Sequence, residues 1–148
     1  MSLRDSFFYV IGIGFLALAK AKNILLDYTP KSIGMSEIAR CIQYDINIVE
    51  RWLSQLQVYT NSDNYLHGKN VLELGPGSDL GIGIYLLSKG CSRYTACDIR
   101  DIMNSTPNSF YEQFFEKLES IKSEVSIDFL KRQLIETNAG NPSQLNFT

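Results

Sequence analysis

The sequence predicts an α/β chain whose centre is a parallel sheet, with a helical region before it. Three observations predict this. Val71-Leu72-Glu73-Leu74 is a short β-favouring run that stops at a glycine-rich turn. Leu80 to Lys89 follows with helical character and is stopped by Gly90, a residue suited to the position just past a helix end. Arg93 to Asp98 is a second short β-favouring run. Strand, helix and strand joined by short links make a right-handed unit with parallel strands.

Size and charge bound the rest. The chain has 148 residues, 45% hydrophobic and 20% charged, enough for one core and hardly for two. A formal net charge of −2 offers no basic face, so no nucleic acid is expected as a partner. Cys41, Cys91 and Cys97 are odd in number and contain no CxxC pair. They point to a reducing, cytoplasmic setting, with neither a disulfide framework nor a metal site expected.

Residues 1–66 read as a helical N-terminal region. An apolar helix is expected to about Leu26, then a break over Pro30–Gly34, then further helix with Ile46, Val49, Leu53 and Leu56 on one face and Trp52 beside them. Asn61-Ser62-Asp63-Asn64 is a polar turn that closes the region. Phe7 to Ala19 is almost wholly apolar yet shorter than the roughly 20 residues a membrane helix needs. A buried or partner-facing helix is the favoured reading. A helix on a membrane surface and a leader cleaved after Ala17-Leu18-Ala19 are the alternatives, the leader opposed by Asp5 beside Arg4.

Residues 67–148 read as a partial cofactor-binding domain. Beyond the strand–helix–strand unit, Phe110, Phe114, Leu118 and Ile121 make one apolar helical face, and Ile127, Leu130, Leu134 and Ile135 make another. Asn138 to Pro142 is expected to end the regular structure.

Chemistry is expected at the turn Glu73-Leu74-Gly75-Pro76-Gly77-Ser78-Asp79. Glycine serves such a strand-to-helix turn by accepting positive φ and by letting a ligand approach the backbone. Asp98 stands 25 positions after Glu73, at the end of the next strand. In a parallel sheet these strand ends are neighbours on the edge where open α/β sheets bind ligands, and a carboxylate there can accept hydrogen bonds from both hydroxyls of a ribose.

Val71–Gly81 resembles the first motif of class I S-adenosylmethionine-dependent methyltransferases, and Tyr94–Ile99 resembles the strand that carries their ribose-binding acid. The chain is most similar to a bacterial subgroup with a LELGPG first motif, a Tyr-Asp pair upstream (here Tyr44-Asp45) and an acid pair after the second strand (here Asp98-Ile99-Arg100-Asp101). The resemblance spans roughly residues 40 to 120, with its specific motifs inside Val71–Asp98. It implies a Rossmann-like sheet with S-adenosylmethionine as cofactor. Glu73, Gly75 and Gly77 would line the methionine and ribose side of the cofactor, with Pro76 between them; Asp98 would hold the ribose hydroxyls and Ile99 would touch the adenine. One departure stands out: the family's third loop glycine is Asp79 here, while Gly81 and Gly83 lie out of register. Asp79 is therefore expected to make a polar contact of its own with the cofactor.

Competing motifs fit less well. A nicotinamide site needs glycine or alanine at the sixth loop position, where Leu80 stands. Gly12-Ile13-Gly14-Phe15-Leu16-Ala17 has that pattern but lacks a following strand ending in an acid. No Gly-Lys-Ser/Thr phosphate loop occurs. His67, the single histidine, reads as a loop residue; Cys91 and Cys97 read as small buried residues, and Phe110, Tyr111, Phe114 and Phe115 as packing.

A complete methyltransferase of this class has a longer sheet with later motifs. This chain supplies its first two or three strands and no assignable catalytic base. The expectation is the cofactor-binding portion of a methyltransferase, as a fragment or split protein, acting on an unknown methyl acceptor only when completed, and either self-associating or joining a completing chain. A non-catalytic half-domain serving as an interaction module is the alternative.

Overall fold

The computed structural model describes residues 37–62, 65–98 and 105–148, together with Gly14 and Leu18. The chain divides into two compact units, residues 1–33 and 34–148. Apart from Gly14 and Leu18, the expected N-terminal apolar helix lies outside the described residues, as do the Pro30–Gly34 break, Asp63, Asn64 and Ile99.

The second unit is α/β. Helix α1 spans Ile38–Thr60, strand β1 Asn70–Leu74, helix α2 Gly81–Ser88 and strand β2 Arg93–Cys97. Helix α3 spans Asn108–Glu119, helix α4 Ile127–Asn138 and strand β3 Leu145–Phe147. The strands form one sheet in the order β1-β2-β3, every pair parallel, with Leu74 opposite Cys97 and Tyr94 opposite Leu145. This is a partial Rossmann-like sheet. Helix α1, read from sequence as part of a separate helical region, shares its unit and its core with the sheet.

The local causes are ordinary ones. Helix α1 buries Ile42, Ile46, Val49 and Leu53 at helical spacing, and it stops at Asn61, whose left-handed φ of 49° asparagine tolerates better than most residues. Trp52 and Leu56 flank that stripe and stay partly exposed. Helix α2 is buried along its whole length, as an all-apolar helix must be. Helix α3 buries Phe110, Phe114 and Leu118, with the Phe110 and Tyr111 rings meeting edge to face at 5.2 Å. Helix α4 starts at Ser126, whose hydroxyl accepts the Phe129 amide at 3.2 Å.

Three expectations need correction. The tail after Pro142 is not irregular: Leu145–Phe147 adds a third strand, held by Tyr94 N–H donating to Gln144 O at 2.8 Å and Thr148 N–H to Ala96 O at 2.9 Å. Ile135 is not on the buried face of α4 but 64% exposed, because that helix buries a narrow stripe through Leu130 and Leu134. Cys97 is exposed at the end of β2 with its side chain on the face opposite Ala96, whereas Cys91 is buried as expected and its thiol is pushed up to about 11 by that burial.

The two faces of the sheet differ. Tyr94, Ala96 and Leu145 are buried on one face, packed within the helical core. On the other, Leu72 is 64% and Leu74 76% exposed, and among the described residues β1 pairs with β2 alone. Parallel sheets are normally covered on both faces; among the described residues, helices cover the face that carries Tyr94, Ala96 and Leu145. Among the described residues no helix is long and apolar enough to cross a membrane.

Candidate functional site

The site lies where β1 and β2 end. Gly75 N–H donates to Cys97 O at 2.9 Å, which carries the ladder one step past Leu74 and sets the glycine loop directly beside Asp98. Gly75 and Gly77 have φ of +73° and +87°, in the region that side chains avoid, and among the described residues a methyl group on either would meet no atom within 4 Å. Both conditions for a ligand-binding turn are present: a backbone only glycine adopts readily, and open space beside it.

The loop is pinned at its far end. The Thr106 hydroxyl donates to Ser78 O. Leu80 N–H donates to the Tyr111 hydroxyl at 3.3 Å, so Tyr111, read from sequence as packing alone, also holds the entrance to α2. Gly81 N–H donates to Asp79 Oδ1 at 2.9 Å, a side-chain acceptor for one of the free amides of the helix start.

Gly81 and Gly83 have a structural purpose of their own. A methyl group on Gly81 would overlap Asp45 Oδ2, and one on Gly83 would overlap the Tyr94 ring. Helix α2 thus lies close against α1 on one side and β2 on the other, which a side chain at either position would prevent. The close helix-to-strand approach is present even though these glycines are out of register with the resembling motif.

Three carboxyls that act on one another, Glu73, Asp79 and Asp45, gather behind the loop. Tyr94 donates its hydroxyl to Glu73 Oε2 at 2.5 Å, which turns Glu73 toward the helix-covered face of the sheet. Burial raises the Glu73 carboxyl above its ordinary value, and Asp79 raises it further against the opposing effect of Tyr94. Asp45, 5% exposed on α1, is pushed up to about 9 by burial first and by Asp79 next. Burial also raises Asp79. Asp45 Oδ2 is buried with no hydrogen-bond partner. Sequence reasoning noticed the Tyr44-Asp45 pair but not that it reaches the loop; the signal was a lone polar residue within the stripe Ile42, Ile46, Val49.

Of the expected cofactor contacts, Gly75, Pro76 and Gly77 follow β1 and Asp98 follows β2 at adjoining strand ends, Asp79 turns to Gly81 at the start of α2, Glu73 is held by Tyr94, and Ile99 lies outside the described residues. Asp98 is half-buried, and its backbone N–H donates to Thr148 O at 3.3 Å. His67 sits in a turn at the opposite end of the strands, 3.9 Å from Glu124. A hollow of about 500 Å³ between α3 and α4, lined by Phe115, Glu116, Lys131 and Ile135 among others, does not include the glycine loop. A scan of the chain against family models finds no match, and comparisons with curated proteins and with solved structures find none either.

Proposed function

We propose that this chain is the S-adenosylmethionine-binding portion of a methyltransferase, incomplete and inactive alone, working in the cytoplasm on an acceptor supplied with the rest of the enzyme. The observation that carries the reading is the pair of positive-φ glycines, Gly75 and Gly77, with open space above them and a carboxylate residue, Asp98, at the adjoining strand end. Such a turn accepts a ligand against its backbone, and the neighbouring acid pairs with ribose hydroxyls. In this reading the loop takes the methionine and ribose side of the cofactor, and Ile99 follows with the adenine. Enzymes that carry reactive cofactors contribute binding, orientation and electrostatics, and in this reading the chain contributes the binding part of that set.

The test is calorimetry of S-adenosylmethionine binding to the whole chain and to Asp98→Ala. The substitution leaves two ribose hydroxyls without their acceptor and should weaken binding by about 1–3 kcal/mol. Equal affinities would remove Asp98 from the site.

A second reading, a non-catalytic interaction module, is favoured by the exposure of Leu72 and Leu74 on one face of the sheet. The two separate on the same titration, because a module without a cofactor gives no heat with S-adenosylmethionine.

A further inference from the structure

Helices α3 and α4 meet along a groove of about 500 Å³. It runs the whole length of α3, from Asn108 to Glu119, which at 1.5 Å per residue is about 16 Å, or three helical turns. A lining drawn out over three turns matches a segment of chain better than a compact small molecule.

The floor of the groove is apolar and its α3 wall is acidic. Tyr111 and Phe115, one turn apart on α3, are buried there with Leu134 of α4. Ile135 stands next to Leu134 and is 64% exposed, a large apolar side chain in the same lining. Glu112, Glu116 and Glu119 have the i, i+4, i+7 spacing that sets residues along one side of a helix, and all three are exposed. Among the described residues none of the three has an ion-pair or hydrogen-bond partner. Lys131, the cation among the described lining residues, comes from α4 and holds its ammonium over the Phe115 ring at 5.7 Å.

These features select an occupant by its chemistry. Three carboxylates against one lysine leave the lining negative, so it repels nucleic acid and anionic lipid and attracts lysine and arginine. Phe115, Leu134 and Ile135 accept apolar side chains. An amphipathic helix offers both, with apolar residues at i, i+3, i+4 and i+7 and basic residues on its flank.

We propose that the groove between α3 and α4 docks a basic amphipathic helix of a partner protein. Its apolar face sits on Phe115, Leu134 and Ile135, and its lysine or arginine residues lie against Glu112, Glu116 and Glu119. The groove does not include the glycine loop, so docking stands apart from the cofactor reading.

Amide chemical-shift mapping of the whole chain tests this with a synthetic peptide of leucine and lysine. The peptide has about 14 residues, with leucines at i, i+3, i+4 and i+7 and lysines between them. Phe115, Lys131 and Ile135 should shift along one saturation curve, while Leu72 and Leu74 on the exposed sheet face stay in place. Replacing the three acids together (Glu112→Gln, Glu116→Gln, Glu119→Gln) should weaken binding about tenfold, as expected for three exposed charge pairs. Ile135→Glu should weaken it about fivefold or more through lost apolar contact, although it adds negative charge. Attraction of charge alone would make that variant bind more tightly. No saturable shift with the peptide, shifts centred on Leu72 and Leu74, or an Ile135→Glu protein that binds as well as wild type would overturn docking in the groove. The same shifts from benzyltrimethylammonium at matching concentration would overturn the helix as occupant in favour of a small organic cation.

Discussion

Gly83→Val is expected to destabilise the protein by about 3 kcal/mol or more, the upper range for forcing extra carbons into a filled core. Even a single methyl at this position would overlap the Tyr94 ring and approach Leu145 Cδ1 at 2.8 Å. Neither neighbour has anywhere to go. Tyr94 and Leu145 are both fully buried, and the Tyr94 hydroxyl is tied to Glu73. Helix α2 would have to lift off the sheet, and because it is buried along its whole length that movement disturbs α1 as well as β2 and β3. In a domain whose total stability is about 5–15 kcal/mol, this is a large fraction. A thermal melt should shift down by roughly 10 °C or more. Ile135→Ala, at an exposed position, is the comparison and should stay within about 0.5 kcal/mol of wild type. A Gly83→Val protein that melts with the wild type would mean that α2 does not rest on Tyr94.

Gly77→Val should abolish cofactor binding while leaving the fold in place. At φ +87° valine is strained by about 1–2 kcal/mol, so the loop will rotate toward negative φ and change its path. Among the described residues no atom lies within 4 Å of the position a Cβ would take, so their packing gives no reason for the domain to unfold. The added methyl groups instead occupy the space a ligand needs against the backbone. Affinity for S-adenosylmethionine should fall by at least about 100-fold, equivalent to about 2.7 kcal/mol. Far-UV circular dichroism should barely change, because α1, α3 and α4 supply most of the helix and lie outside the loop. Normal binding by this variant would mean that the loop does not cradle the ligand.

The parts of the fold that were legible in the sequence were those with strong local chemistry. The run Val71–Leu74, the glycines at 75, 77 and 90, and the run Arg93–Cys97 each carry propensity or punctuation that holds without tertiary help, and all appear as expected. Strand β3 was illegible for the opposite reason. Leu145–Phe147 has three residues, and its pairing comes from the neighbouring strand, with Gln133 Oε1 accepting the Gln144 amide at 2.6 Å to hold the approach. No window of that length distinguishes a strand from a tail.

The candidate site divides in the same way. The glycine loop and Asp98 could be placed because strand ends in a parallel sheet are neighbours by geometry alone. Asp45 could not, since its role depends on the packing of α1 against α2, a contact between residues 36 positions apart. Glu73 was legible as a loop acid, yet its tie to Tyr94 depends on the register that sets Glu73 opposite Ala96. Alternation along β1 puts Val71 and Glu73 on the covered face and leaves Leu72 and Leu74 outside.

The most direct test of the central claim, that the glycine loop binds S-adenosylmethionine, is amide chemical-shift mapping of the whole chain during titration with that compound. Gly75, Gly77 and Asp98 should shift with a common saturation curve, while His67 and Gly90, at the opposite end of the strands, should stay in place. Shifts confined to Phe115, Lys131 and Ile135 in the hollow between α3 and α4, or no shifts at all, would contradict it.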